Sequence, residues 1–581
     1  MKCSNIFQFI LIIVLSLFFH ILFGYSMMDV LYKFPLNYGM PPHSASLSDN
    51  ETLSDRVVIL AFDGFRADTF FETINFGKNP YLQKIIRERG VYGVSHLKAP
   101  TETKPCFTAM CTGHFQDGSL ALKHIFNQFV VSDSIFNQSN HAWGIGFIIN
   151  VFTEQAKQME NLPLGNHKYN KIFYISYDFN IFHGIIDFLN NAKKDKNGKD
   201  YKNLNKKKIT FLMHITETDG LGHTYGPKAD ILRNHLIDLD KYFQALENAF
   251  YEFYHDNRTT FLLTSDHGMN LNKYHGDDTE ACKRVPFMAW GAGIRKSIHR
   301  EKKPGGEDSP EDWGVDNYVR RDVEEIDFTP LTAGLIDINF PMNSYGKIPL
   351  DILDTSDKIK SKLLFTNFME IFEIYKMKNG IKSKSKLFSS YKPLSDSENQ
   401  IIEIKNDIEN GKYLDAIDKT DILIKKTLDG IDYLLKYDTL LLKVIVFIGY
   451  VLWMLYLLIF LEMKNNDCMG KLFFYNCEEK VTTIIFGILT IISFVYLLLR
   501  NSPSIYYFYI SFPLYFGWRI FSNLEYLKSF FFKYNDFKMN SLNLIMLIVA
   551  IVLFFSLVSY KINNFNNRHL ILLIEKWFVF I

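Results

Sequence analysis

Hydrophobic and polar positions divide the chain into a long middle of alternating character and two strongly apolar ends. In the middle, VVILAF (57–62), ITFLMHIT (209–216), TFLLTS (260–265) and VPFMAW (285–290) are short apolar runs rich in β-branched or aromatic residues. Such runs predict strands buried on both faces. Helical stretches separate them, so the expected architecture is α/β, a parallel central sheet with helices on both faces. Ligands of such sheets sit beyond the carboxyl ends of the strands. The residues that follow each run are the first places to look for chemistry.

The N-terminal apolar run, IFQFILIIVLSLFFHILFGY (6–25), has roughly the 20 residues needed to cross a bilayer. It exceeds the ~7–15-residue core of a cleaved signal peptide and lacks an A-x-A site, so residues 1–30 read as an uncleaved transmembrane anchor. Residues 45–350 carry the strand pattern and form the expected globular domain. Residues 351–440 show helical periodicity with little strand signal and read as a helical stalk. Residues 441–581 read as a multispan helical membrane region, with apolar runs near 441–463, 481–499, 504–522 and 541–560. A fifth run opens near 569 and stops at Ile581, as an interrupted span would. The loops bearing Lys464, Lys471, Lys480, Lys528, Lys533 and Lys538 are cytosolic by the positive-inside rule, which places the globular domain across the membrane. The sequons at Asn50, Asn137 and Asn257 all lie in that domain. The Lys- and Asn-rich stretch 190–208 reads as a solvated insertion loop.

Composition changes this picture little. Lys and Arg number 64 against 63 Asp and Glu, a net charge of +1, without the basic excess of a nucleic-acid binder. Six cysteines (3, 106, 111, 282, 468, 477) show no zinc-finger spacing, and Cys106, Cys111 and Cys282 allow at most one disulfide in the globular region.

Four segments carry candidate chemistry. VVILAFDGFRAD delivers Asp63 to a strand end, with Gly64 turning the backbone beneath a ligand. ITETDGLGHTYGP places Asp219 and His223 four residues apart, where a helix or a Gly-rich loop could aim both at one ion. TFLLTSDHGM ends in Asp266 and His267, followed by His275; burying such a pair is costly without a metal or partner charge. KAPTETKPCFTAMCTGH places Thr103 near a helix N-terminus, whose free amides suit a phosphate. Each segment alone has a bland reading: a common Asp-Gly turn, a loop with an incidental histidine, an Asp orienting a structural histidine, an N-cap threonine. Together they supply three Asp, three His and a hydroxyl nucleophile at strand ends. That inventory fits two divalent ions about 4 Å apart, and the His/Asp donors favour zinc.

The order strand-Asp-Gly, P-T-x-T, D-x-x-G-H, S-D-H-G-M, H-G resembles the alkaline phosphatase superfamily, especially its phosphodiesterase branch. FDGFRAD, APTETKP, TSDHGM with HGDDTE, PFMAWGAGI and DFTPLTAGLIDINFPMNSYGKIP resemble glycosylphosphatidylinositol (GPI) ethanolamine phosphate transferases, and the WGAGI run, NSYGKIP, LLFTNFMEIFEIYKMK and DGIDYLLKYDTLLL are most similar to those acting on the first mannose. The resemblance implies an alkaline-phosphatase-like sheet, lumenal in the endoplasmic reticulum, with phosphatidylethanolamine as donor and a GPI mannose as acceptor. It implies that Thr103 is the nucleophile, carrying a covalent phosphoethanolamine. Asp63, Asp266, His267 and Thr103 match the ligands of one metal, and Asp219, His223 and His275 those of the other. Cys106-Phe107 stand where the family often has Gly-His or Asn-His, and Trp143-Gly-Ile-Gly-Phe where it has a W-G-S-P-D-like segment. A lumenal two-metal phosphodiesterase would use the same residues with water as acceptor. A sulfatase is disfavoured, since no Cys-x-Pro-x-Arg-like site surrounds Thr103.

Overall fold

The structure is a computed structural model and describes residues 2–31, 36–75, 80–115, 132–153, 156, 158–164, 177–300, 313–315, 317–465, 480–524 and 526. Its strands are β1 (Arg56–Phe62), β2 (Gly90–His96), β3 (His141–Ile145), β4 (Met159–Asn161), β5 (Ile209–Ile215), β6 (Thr259–Ser265), β7 (Arg284–Gly291) and β8 (Val323–Glu324). They form one sheet in the order β4-β3-β5-β1-β6-β7-β2-β8. The helices that matter here are α1 (Lys2–Leu31), α2 (Thr103–Thr112), α3 (Tyr177–Lys194), α4 (Glu217–Tyr225), α5 (Asp230–Tyr254), α6 (Phe328–Ile336), α7 (Asp357–Lys382), α8 (Ser397–Glu409), α9 (Tyr413–Lys436), α10 (Thr439–Asn465), α11 (Lys480–Leu499) and α12 (Ser504–Ser522).

Alternation along β1 explains the two covered faces. Val57, Ile59 and Ala61 join Leu212 and Leu262 in one core, which α6, α7 and α9 close through Leu331, Phe368 and Leu423. Val58, Leu60 and Phe62 join Phe211, Met213 and Leu263 in the other, closed by α3 and α5. Helix α5 buries Leu232, Leu236, Leu239, Phe243, Leu246 and Phe250, a stripe at three- and four-residue spacing that faces the sheet. The helices of 357–436 thus share the sheet's own core.

The expected all-parallel sheet is corrected to a mixed one. Strands β3, β5, β1 and β6 are parallel, but β7 runs antiparallel to both β6 and β2. The chain between β6 and β7 stays at the carboxyl edge of β6 instead of crossing a face through a long helix. The next strand can then only run back, which antiparallel pairing allows and parallel pairing does not. The stretch 190–208 is also not a plain loop. It holds the end of α3 and a helix at Lys199–Leu204 whose Leu204 is buried.

Register sets the position of the site. Phe62 pairs with Ile215 on one side and Ser265 on the other. The next residues, Asp63, Thr216 and Asp266, therefore leave the sheet side by side at one edge.

Toward the C-terminus, Tyr413–Met463 and Lys480–Leu499 are long and apolar enough to cross a membrane. The run expected at 504–522 is helical, but Pro513, Arg519 and four tyrosines (506, 507, 509, 515) make it less apolar. Helix α1 carries the apolar run 6–25. Phe19 of α1 packs on Trp453 and Phe516, and Gly449 leaves room where a Cβ would meet the Phe23 ring. The runs near 541–560 and 569 lie outside the described residues. Of the sequons, Asn50 and Asn257 are exposed, whereas Asn137 lies in the short helix Ile135–Gln138 and its side chain accepts the N–H of the N-cap residue Ser134.

Candidate active site

Asp63 leaves β1 with one carboxylate oxygen on each side of a histidine pair. Its Oδ2 is 3.0 Å from His214 Nε2, and its Oδ1 is 3.2 Å from His267 Nε2. The Ile148 N–H donates to His214 Nδ1, so Nε2 carries the proton given to Asp63. Gly64 has φ +70, and a Cβ there would stand 2.7 Å from Asp219 Oδ1. Only glycine adopts this turn at low cost and leaves room for the second carboxylate.

From the end of β6, Asp266 Oδ1 accepts the N–H groups of Gly64 (3.1 Å) and His267 (2.7 Å). Ser265 Oγ, which accepts from the Phe65 N–H, ties the same corner to the Phe62 and His267 carbonyls. Helix α4 carries Asp219 and His223 one turn apart, with Oδ1 and Nε2 3.3 Å apart. The loop after β6 returns His275, whose Nε2 is 3.8 Å from Asp219 Oδ1 and whose ring stacks on His267 at 4.0 Å.

The three predicted histidines share one arrangement. Each has Nδ1 beside a backbone carbonyl: His267 to Gly268 (3.1 Å), His223 to Lys273 (2.8 Å) and His275 to Thr101 (3.1 Å). Nδ1–H donation to those carbonyls turns each Nε2 toward Asp63 or Asp219. Metal-binding histidines are oriented in this way, since the carbonyl fixes the tautomer.

Thr103 is the first residue of α2, as expected. Its hydroxyl is 3.5 Å from Asp63 Oδ1 and 3.3 Å from His267 Nε2. The turn before it is pinned to the His275 loop, because Thr101 Oγ1 donates to Asp277 O and accepts from Gly276 N. All seven residues singled out in the sequence meet at this edge.

Three neighbours had escaped the sequence reading. His214 lies inside the run ITFLMHIT, where one polar residue among apolar ones was the available signal. Glu102, between the two threonines of the turn, has Oε2 3.4 Å from His275 Nδ1. Glu325 is fully buried beside Cys106, though the charged run around it reads as surface. Phe107 packs edge-on against His214 at 4.6 Å. Cys106, Cys111 and Cys282 are all buried free thiols.

Electrostatics reflects crowded carboxylates. Burial raises Asp266 well above the usual carboxylate range, and the Asp63 charge raises it further. Burial and Asp63 also raise Asp219. Burial opposes ionisation of Asp63, yet hydrogen bonds from His214 and His267 hold its carboxyl low. Burial disfavours protonated His267, but Asp266 and Asp63 raise it to about 10. His275 falls to about 4 through burial and the charge on His267.

The pocket thus calls for positive charge among its carboxylates. Asp219 Oδ1 and Asp266 Oδ2 are buried without a hydrogen-bond partner, an arrangement that costs free energy unless a cation is bound. One ligand atom each from Asp219, His267 and His275 lies within 4.8 Å of the others, and the same holds for Asp63, His214 and Asp266. The donor set fits divalent metal ions.

Two family models match the chain. Type I phosphodiesterase / nucleotide pyrophosphatase covers residues 138–302, which include Asp219, His223, Asp266, His267 and His275 but not Asp63 or Thr103. Phosphatidylinositolglycan class N (PIG-N) covers residues 429–580. The chain is 31% identical over 525 residues to GPI ethanolamine phosphate transferase 1 of Schizosaccharomyces pombe, covering 86% of the chain and 55% of that protein. The Homo sapiens protein of the same name is 30% identical over 531 residues, covering 87% of the chain and 55% of the relative. The chain therefore spans about half the length of the curated relatives it matches. Among solved structures, a protein in the alkaline phosphatase superfamily from Vibrio parahaemolyticus aligns with TM-score 0.37 at 14% identity, covering 58% of this chain and 80% of that one. Over that shared length the chain is similar to the GPI ethanolamine phosphate transferases named 1, and its residues 138–302 are similar to type I phosphodiesterases.

Proposed function

We propose that the chain transfers phosphoethanolamine from phosphatidylethanolamine to the first mannose of a GPI precursor, on the lumenal side of the endoplasmic reticulum membrane. The observation that carries this reading is the convergence of three carbonyl-oriented histidines and two carboxylates with unpartnered oxygens beside one threonine hydroxyl. Asp63, Thr103, Asp266 and His267 would hold one divalent cation, and Asp219, His223 and His275 the other, zinc being the best match to these donors. Such ions supply Lewis acidity that activates a hydroxyl and screens phosphodiester charge.

The residues divide the remaining work. Asp63 and His267 hold the Thr103 hydroxyl in place, and Oγ1 loses its proton as it attacks phosphorus. The bond from phosphorus to the diacylglycerol oxygen breaks, and diacylglycerol leaves as the alcohol with a proton. Thr103 then carries phosphoethanolamine as a phosphodiester. A mannose hydroxyl attacks the same phosphorus, its proton is lost, and the Thr103 oxygen leaves and is reprotonated.

Both substrates are lipids, and the helices of membrane length keep the domain beside them. In this reading residues 1–30 anchor the chain, 45–350 form the catalytic domain, 351–440 link it to the bilayer and 441–581 are embedded. Complementing cells that lack the first-mannose transferase, with mass spectrometry of GPI precursors, tests it. Phosphoethanolamine on the first mannose is the expected product. Release of free phosphoethanolamine without transfer would replace this reading with a lumenal phosphodiesterase.

A further inference from the structure

Helix α4 has a weak hold on its own geometry. It is nine residues long and contains Gly220 and Gly222, so its intrinsic helical stability is low. Its N-cap residue, Thr216, makes no side-chain capping hydrogen bond. Yet α4 must place Asp219 and His223 accurately, because both face the same ion.

The missing cap comes from another helix. Asp178, in the first turn of α3 and fully buried, accepts the N–H of Thr216 at 2.8 Å and that of Glu217 at 3.3 Å. Glu217 returns the contact, its Oε1 accepting the Tyr177 N–H at 2.8 Å. Two helix N-termini thus cap each other with their acidic residues, where backbone donors and helix dipoles both favour negative charge. A third helix fixes the pair. His235 Nε2 on α5 is 2.8 Å from Asp178 Oδ2 and 3.6 Å from Glu217 Oε2. His235 sits between Leu232 and Leu236, whose side chains are in the core under the sheet.

We propose that Asp178 and His235 are positioning residues for the metal pair of α4: the cross-cap they form fixes the orientation in which Asp219 and His223 face a single ion. The path runs from the α5 core through His235 and Asp178 to the first amides of α4, two residues before Asp219. This inference rests on the two-metal reading. It also makes a separable claim, that losing the cross-cap weakens one ion and spares the other, since Asp63 and Asp266 hang from β1 and β6.

The test uses the full chain, purified in detergent and loaded with zinc. Zinc content after dialysis against graded chelator is measured by elemental analysis, alongside far-UV circular dichroism. Asp178→Asn and His235→Leu are expected to lower the affinity for one of two zinc ions by about 10–100-fold, the usual effect of losing a group that orients ligands. The other ion and the helical signal should be unchanged. His235→Gln, which keeps an N–H donor toward Asp178, should recover most of the lost affinity. Variants that hold both ions like the wild type would overturn the positioning role and leave the two-metal reading intact. Loss of both ions together with helical signal would mark a purely structural role and overturn it. A third zinc in the wild type, lost in these variants, would make Asp178, Glu217 and His235 ligands and also overturn it. A wild-type chain that holds no zinc would overturn both readings.

Discussion

The Thr103 hydroxyl stands 3.3 Å from His267 Nε2, although 164 residues separate them. One is the first residue of a helix and the other follows a strand end. Their approach places a weak nucleophile among groups that could activate it.

Replacing Thr103 by Ala is therefore expected to abolish transfer while leaving the fold intact, because a small polar side chain at a helix start is lost and no core volume. A loss on the order of 10³-fold or more is expected for a nucleophile acting with its partners as a unit. Mass spectrometry of the wild-type chain incubated with phosphatidylethanolamine should locate phosphoethanolamine on Thr103. Normal transfer by Thr103→Ala would rule out this mechanism.

His214 holds the other oxygen of Asp63 and is itself fully buried. His214→Leu keeps much of the volume but removes the N–H donor. Metal affinity is expected to fall about 10–100-fold, as when a ligand loses its orienting hydrogen bond. Titration with zinc measures this, and unchanged affinity would reduce His214 to a packing residue.

Asp266 and His223 belong to the two proposed ligand groups. Asp266→Ala and His223→Ala should each lower bound metal as read by elemental analysis, and chelation of the wild type should remove activity that zinc restores. Wild-type metal content in either variant would strike that residue from the ligand set.

Glu370 on α7 gives a pH prediction away from the site. Burial pushes its carboxyl from 4.5 to about 8, against the opposing backbone contact of Asn343. The folded chain thus keeps a proton that the unfolded chain releases, so stability should fall as pH rises through the window from 4.5 to about 8. The slope from one such group approaches about 1.4 kcal/mol per pH unit within that window. Glu370→Gln should flatten this dependence and raise the melting temperature at the alkaline end. Melting curves with the same slope in both proteins would disprove the assignment.

The sequence by itself marked four of the strands, β1, β5, β6 and β7, and the candidate residues near their ends. The runs at 57–62, 209–216, 260–265 and 285–290 each became a strand, as short β-branched or aromatic apolar runs favour, whereas β2 and β3 are interrupted by Gly93 and Gly144 and β4 and β8 are only three and two residues long. The order of Asp63, Thr103, Asp219, His223, Asp266, His267 and His275 along the chain was enough to mark a candidate site. Strand direction was not legible, since an apolar run reads the same both ways; the short path from Ser265 to Arg284 turned β7 around. His214 was hidden for a similar reason, because side-chain alternation fixes its face but not its neighbour. Only the register of β5 against β1 set it against Asp63. The Asp178–His235 contact joins α3 to α5 through packing alone, and no local pattern announces it. Local composition fixes what each segment can become, whereas pairs far apart in the chain are chosen by how two cores close over one sheet.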